Sequence, residues 1–149
     1  MSDLRELYQQ TILDHHRKPR NFRAIAGADR TAHGDNPLCG DRITVYLRMG
    51  NGVIKDAAWE GSGCAISRAS ASMMTAGVIG KRNAEADELF HRVHAMLTEE
   101  SNGDAARDVG KLAVFAGVRE FPSRVKCATL PWHTLEAALH GTAEPVTTE

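Results

Sequence analysis

Residues 42–60 read RITVYLRMGNGVIKDAAWE, which is the pattern of a β-hairpin. In residues 42–49 apolar and polar side chains alternate, as they do in a strand with one buried face. The buried face is predicted to carry Ile43, Val45, Leu47 and Met49. The turn is predicted at Asn51 and its two flanking glycines, because Asn and Gly tolerate positive φ. The return strand then runs from Val53 to Glu60.

Helical patterns lie on both sides of this hairpin. An opening helix ends at Pro19, and a further short strand is expected around residues 29–33. Later helices are predicted after Cys64, from Asn83 and from residue 105, and a last helix follows Cys127, with Pro131 in its first turn. The order predicts an α+β fold, with helices on one face of a short, three-stranded antiparallel sheet. We expect one domain over residues 1–141 and a flexible tail over 142–149.

The composition is that of an ordinary globular domain and argues against several classes of partner. The chain has 149 residues, a formal net charge of −1 and only two Trp, two Tyr and four Phe, so a nucleic-acid partner is not expected. No apolar run is long enough to span a bilayer, and no apolar signal core follows Met1. We therefore expect a cytoplasmic protein without a membrane partner, in a compartment where disulfides are disfavoured.

Each of the three cysteines is predicted at the edge of an element. Cys39 precedes a strand, while Cys64 and Cys127 each precede a helix. A helix N-terminus presents unpaired N–H groups and positive potential, which stabilise a thiolate. The thiolate is the form that binds metals and acts as a nucleophile, so the three positions together indicate a metal or thiol site.

The residues alone leave other interpretations open. A single cysteine is more often a core residue than a ligand, and the sequence contains no Cys-x-x-Cys pair. Histidine is the other common ligand type, and His33 lies close to Cys39 in the sequence, which makes it an optional extra ligand. Spacing by itself therefore gives only a weak indication of a metal.

Three sequence motifs strengthen the indication of a metal site. NPLCGD (36–41), GSGCAIS (61–67) and RVKCAT (124–129) resemble, in this order, the cysteine motifs of the SufU/IscU family, which is NifU N-terminal domain-like. The resemblance extends over roughly residues 4–140. It implies an α+β fold and a metal site made by three cysteines and one aspartate, which are Cys39, Asp41, Cys64 and Cys127. In a strand Cys39 and Asp41 point to the same side, and four ligands complete the tetrahedron that zinc prefers.

Two departures from the IscU pattern resemble the SufU branch of the family. Lys126 stands where IscU-like proteins have a histidine, and the segment around residues 98–111 lengthens the chain between the last two motifs. The SufU resemblance implies a zinc-dependent sulfurtransferase. Such a protein accepts persulfide sulfur from a PLP-dependent cysteine desulfurase of the SufS type and passes it to the downstream iron–sulfur assembly machinery.

The same resemblance assigns roles to two residues. It implies that Cys39 receives the sulfur while a histidine of the desulfurase takes its place on zinc, and Gly40 is a plausible pivot for that movement. It also implies that Arg124 lies beside the site and favours thiolates and an anionic persulfide. The alternatives are Cys127 as the acceptor and Arg124 as an ordinary surface arginine.

Three other functions compete with sulfur transfer. The first is an IscU-like scaffold that binds iron and assembles a [2Fe–2S] cluster on the same cysteines, since thiolate-rich sites suit both metals. The second is a binding module with a structural zinc. The third, zinc-assisted hydrolysis, is the weakest because four protein ligands leave no open position for water.

Overall fold

The computed structural model describes residues 2–98, 109–141 and 145–147. Helices and strands follow one another in the order expected of an α+β chain. The elements are α1 (Ser2–Arg17), β1 (Arg30–Asn36), β2 (Asp41–Gly50), β3 (Val53–Ser62), α2 (Ala65–Val78), α3 (Asn83–Thr98), a 3₁₀ helix (Gly110–Glu120), α4 (Pro122–Leu139) and β4 (Val146–Thr147).

The sheet has four strands in the order β3-β2-β1-β4. β1, β2 and β3 pair antiparallel, whereas β4 pairs parallel with β1 and sets Val146 beside Gly34. The α+β class is confirmed, but the prediction of a three-stranded, purely antiparallel sheet is wrong. A two-residue strand is too short to show alternation, so β4 is not distinguishable from the tail predicted over residues 142–149. The domain limit at residue 141 and the flexibility of the tail stay predictions.

The central hairpin is confirmed at its predicted turn. Asn51 and Gly52 have φ angles of 54° and 76°, the combination that a two-residue hairpin loop with the right twist requires. The register shifts between Arg48 and Met49, so that Met49 lies opposite Ile54 and the ladder contains a bulge.

The core lies between the sheet and the helices α2 and α4, which contact β3 and β1–β2 respectively. Val45 and Leu47 on β2 are completely buried, and Trp132 on α4 is 1% exposed. At Gly34, β1 lies so close to α4 that a Cβ atom there would overlap Oγ1 of Thr134. A glycine at this point of β1 therefore lets α4 lie directly on the sheet.

The last helix begins earlier than predicted, and this changes the positions of Cys127 and Pro131 within it. α4 begins at Pro122, a favoured first-turn residue, so Cys127 lies inside the helix and not before it. Pro131 is consequently an interior residue, and its missing N–H leaves the carbonyl of Cys127 without the usual helical donor. The helical pattern predicted after residue 105 is the 3₁₀ helix, and residues 99–108 of the long segment between motifs lie outside the described residues.

Across the described residues, none of the helices combines the length and the apolar character needed to cross a bilayer.

Candidate metal and thiol site

The fold brings together four side chains that come from distant parts of the sequence. Cys39 lies on the turn between β1 and β2, and Asp41 is the first residue of β2. Cys64 is the N-cap residue of α2, and Cys127 lies in the second turn of α4. These are the four residues that the sequence predicts as ligands.

The turn that carries Cys39 is held by Asn36. The carbonyl of Asn36 accepts hydrogen bonds from the amides of Cys39 (3.2 Å) and Gly40 (2.9 Å), and its Oδ1 accepts one from the amide of Leu38 at 3.2 Å. Gly40 has φ of 73°, where a residue with a Cβ is strained. Asn36 is completely buried, whereas Cys39 is exposed. The turn is thus held by the hydrogen bonds to buried Asn36, while Cys39 itself is exposed to solvent.

Asp41 is a completely buried carboxyl group that faces Cys64. Its Oδ1 accepts a hydrogen bond from the amide of Cys64 at 2.9 Å, and its Oδ2 lies 3.9 Å from Sγ of Cys64. A Cβ atom on Gly63 would overlap Oδ1, so the glycine before Cys64 is what makes room for the carboxylate. The sulfur of Cys64 also accepts a hydrogen bond from the amide of Ser67 at 3.5 Å, as a thiolate at a helix N-terminus does.

Cys127 closes the site from the helix side. It is completely buried, and its Sγ lies 3.6 Å from Sγ of Cys39. Burial, followed by the neighbouring Asp41 and Cys64, raises the pKa of the Cys127 thiol far above its usual range. A bound cation reverses that preference, because a coordinating thiol is deprotonated.

The spacing of the donor atoms suits a tetrahedral metal ion. Donor atoms of Cys39, Asp41 and Cys127 all lie within 4.8 Å of one another, and Cys64 adjoins them through Asp41. Zinc–sulfur bonds of about 2.3 Å at tetrahedral angles separate two sulfurs by about 3.8 Å, close to the Cys39–Cys127 distance. Three sulfurs and one carboxylate oxygen are also a donor set that zinc and iron both accept.

Arg124 lies one helical turn before Cys127 on α4 and is exposed. The negative charge that Cys64 and Cys127 acquire as thiolates raises the pKa of its guanidinium, so the three groups are electrostatically linked. Arg124 therefore stands at the solvent edge of the site, beside the sulfurs.

The histidine suggested as an extra ligand lies elsewhere. Nδ1 of His33 is 2.9 Å from Oγ1 of Thr44 on the neighbouring strand, and among the described residues His33 does not belong to the cysteine group. Asn36 and Gly63 also shape the site, Asn36 by holding the turn that carries Cys39 and Gly63 by leaving room for the Asp41 carboxylate. Gly63 lies in the motif at residues 61–67, and Asn36, which was not predicted to shape the site, is the first residue of the motif at residues 36–41.

The fold and site define an α+β domain in which three cysteines and an aspartate converge on one point. The NifU-like N terminal domain family model matches residues 7–139. The chain therefore belongs to this family, which includes IscU and SufU proteins, and the family resemblance is confirmed.

Individual relatives cover nearly the whole chain. The zinc-dependent sulfurtransferase SufU of Bacillus subtilis is 38% identical over 135 residues, which are 91% of this chain and 90% of that protein. The iron–sulfur cluster assembly scaffold protein IscU of Streptococcus pyogenes serotype M1 is 37% identical over 143 residues, 96% and 89% of the two chains. The crystal structure of FiSufU from Fervidobacterium islandicum superposes with a TM-score of 0.80 at 36% identity, covering 87% of this chain and 93% of that one.

Proposed function

We propose that this protein is a zinc-dependent sulfur acceptor in iron–sulfur cluster assembly. It takes persulfide sulfur from a PLP-dependent cysteine desulfurase of the SufS type, in the cytoplasm, and passes it to the downstream assembly machinery. The observation that carries the proposal is the asymmetry of the site, in which an exposed thiol, Cys39, lies 3.6 Å from a buried one, Cys127.

Cys39, Asp41, Cys64 and Cys127 are the residues proposed to hold the metal. When bound, zinc keeps the sulfurs deprotonated and ties the three elements that carry them together. Asp41 has a second task that does not depend on a metal, because its Oδ1 fixes the backbone of Cys64. Because Asp41 is completely buried, a bound cation would stabilise its carboxylate by offsetting the loss of hydration.

Cys39 is the proposed acceptor because it is the thiol that a partner protein can reach. Cys64 is half-buried at the start of α2 and Cys127 is completely buried in α4, whereas Cys39 lies on an exposed turn. The Cys39 thiolate attacks the outer sulfur of the donor's cysteine persulfide. A Cys39 sulfur–sulfur bond forms, the donor's sulfur–sulfur bond breaks, and the donor's cysteine leaves as a thiolate.

Arg124 supports this step through its charge. Its guanidinium stands at the edge of the site and carries a permanent positive charge. That charge favours the thiolate before transfer and the anionic persulfide on Cys39 after it.

A groove beside the site is suited to a protein partner. Its volume is about 690 Å³, it is mainly apolar, and it reaches Arg124. Phe121 on its rim is 58% exposed, and Leu38, next to Cys39, is 73% exposed. The lining of the groove includes Tyr8, Ile12, Ile66, Val118, Phe121 and Arg124. Exposed apolar side chains around a reactive thiol support docking of the desulfurase on this face.

A second candidate function is an IscU-like scaffold on which a [2Fe–2S] cluster is assembled. The comparison with relatives supports this alternative, because the chain is nearly as similar to an IscU as to a SufU. It is 37% identical to the IscU of Streptococcus pyogenes and 38% identical to the SufU of Bacillus subtilis. Lys126 weighs against it, since IscU-like proteins have a histidine immediately before the third cysteine and this chain has a lysine there.

The desulfurase assay separates these functions. Alanine release from cysteine is measured with the desulfurase alone, with the metal-loaded chain, and with the Cys39→Ser variant. Sulfur transfer predicts a faster turnover with the loaded chain and no acceleration with Cys39→Ser. A turnover unchanged by the loaded chain, together with cluster absorbance that develops on the chain when iron is added, would favour the scaffold.

A further inference from the structure

Helices α3 and α4 carry a second group of potential metal ligands at their interface. Asp87 and His91 are one turn apart on α3, and Glu136 and His140 are one turn apart at the end of α4. The i, i+4 spacing puts each pair on one face of its helix, and the two faces meet. Glu136 lies nine residues after Cys127 on the same helix, roughly 13 Å along its axis, so this group is separate from the cysteine site.

The donor atoms of the group lie at ligand-to-ligand distances. Nε2 of His140 is 3.2 Å from Oε2 of Glu136 and 3.6 Å from Oδ1 of Asp87. Nε2 of His91 is 3.9 Å from Oδ2 of Asp87, and donor atoms of Asp87, His91 and Glu136 all lie within 4.8 Å of one another. Zinc bonds of about 2.0–2.1 Å to nitrogen and oxygen separate tetrahedral ligands by about 3.3 Å, which is close to the two distances from Nε2 of His140. His140 is not one of the three mutually close residues and adjoins them through the carboxylates of Asp87 and Glu136.

Glu136 is the residue of this group with a carboxylate oxygen that lacks a hydrogen-bond partner among the described residues. Its side chain is only 14% exposed, and Oε2 is buried without a hydrogen-bond partner among the described residues, although His140 is close to it. Burial and the adjacent Asp87 carboxyl raise the pKa of Glu136 to about 8. The carboxyl groups of Asp87 and Glu136 have oxygen atoms within 4.8 Å of each other, and two carboxyl groups at such a distance favour either a shared proton or a cation between them.

We propose that Asp87, His91, Glu136 and His140 form a second metal site, which binds a divalent first-row transition metal such as Zn²⁺. Two imidazoles and two carboxylates are a harder donor set than the three cysteines, and they suit zinc, manganese or ferrous iron. The side chains of His91 and His140 are 70% and 64% exposed. The site is therefore open to solvent, and its ion exchanges with the medium, unlike an ion held by buried Cys127.

The experiment is a zinc titration of the purified chain, which first receives one equivalent of zinc. Further Zn²⁺ is added and followed by calorimetry and by amide NMR shifts. Asp87→Asn and His140→Gln each remove one proposed ligand. Glu88→Gln and His94→Gln are matched controls, because they change a neighbouring carboxylate and a histidine of α3 that lie outside the group.

The proposal predicts one further equivalent in the unmodified chain, with shifts centred on residues 87–91 and 136–140. Asp87→Asn and His140→Gln should weaken this binding by about tenfold or more, and the controls should retain it. Absence of further binding at millimolar zinc, shifts centred elsewhere, or equal weakening by the controls would overturn it. The NMR map of the unmodified chain stays decisive even where a variant misfolds. Because the readout lies on α3 and the end of α4, it succeeds or fails independently of the cysteine site.

Discussion

Sγ of Cys39 lies 3.6 Å from Sγ of Cys127, although 88 residues separate them in the sequence. This contact joins the β1–β2 turn to α4, and the hydrogen bond from the Cys64 amide to Asp41 joins β2 to α2. The candidate site is therefore also a junction of the fold, so what binds there should affect stability as well as chemistry.

Removal of the metal should destabilise the whole domain. A ligand that binds only the folded state at one hundred times its Kd contributes about 2.7 kcal/mol to the free energy of unfolding. For a domain of this size, that corresponds to a fall in Tm of about 5–10 °C. Thermal unfolding followed by circular dichroism, before and after treatment with a chelator, measures it. An unchanged Tm in a chain shown to have lost its metal would contradict the coupling.

Gly34→Ala should destabilise the fold through one contact. The new Cβ would overlap Oγ1 of Thr134, and we expect a loss of about 1–3 kcal/mol in denaturant unfolding. Adding Thr134→Ala should recover part of that loss, which a double-mutant cycle detects. Gly77→Ala is the control, because a Cβ there meets no atom within 4 Å and an alanine in α2 should stabilise the helix. Additive losses in the cycle would refute this account of the contact.

Arg124→Ala should slow sulfur transfer without releasing the metal. The guanidinium is exposed at the edge of the site, and its proposed role is to favour the Cys39 thiolate and the anionic persulfide that forms on Cys39, so removing its charge should slow the transfer step. We expect the sulfur-transfer rate to fall about tenfold, equivalent to about 1.4 kcal/mol, while metal content stays unchanged. Arg124→Lys preserves the charge and should retain more activity than alanine does. If the alanine variant transfers sulfur at the full rate, Arg124 is an ordinary surface arginine.

Glu136 should make stability depend on pH when no metal is added. Its pKa is raised to about 8 in the folded chain from an ordinary value of 4.5. Between these values the folded state keeps a proton that the unfolded state has lost, so the free energy of unfolding falls as the pH rises. Glu136→Gln should flatten this fall, although Asp87 and His140 remain in place. Glu88→Gln, whose carboxylate side chain is 60% exposed, should leave the slope unchanged. Identical slopes in all three chains would exclude Glu136 as the cause.

The hairpin and the convergence of the three cysteines were the predictable parts of this protein. Alternation in residues 42–49 and the Asn51-Gly52 pair specify strands and turn through local physics alone, and the structure has both. The convergence of Cys39, Cys64 and Cys127 was predictable only because their surrounding motifs resemble a family. No rule of spacing links residues that are up to 88 positions apart.

Three features were predicted wrongly or not at all, and two of them, β4 and the packing at Gly34, depend on tertiary contacts. β4 is two residues long, and its pairing with β1 carries no periodic signal. The prediction that the last helix begins after Cys127 is wrong, because α4 begins at Pro122 and accommodates Pro131 in its interior. The close approach at Gly34 likewise has no signature in the residues around it.

The central claim is that Cys39 is the thiol that accepts sulfur. The direct measurement is peptide mass spectrometry after the metal-loaded chain has been incubated with a cysteine desulfurase and cysteine and then alkylated. The exposed position of Cys39, against the buried Cys127 and the half-buried Cys64, predicts the additional sulfur on the peptide that contains Cys39. Additional sulfur found chiefly on Cys64 or Cys127, with Cys39 unmodified, would contradict it.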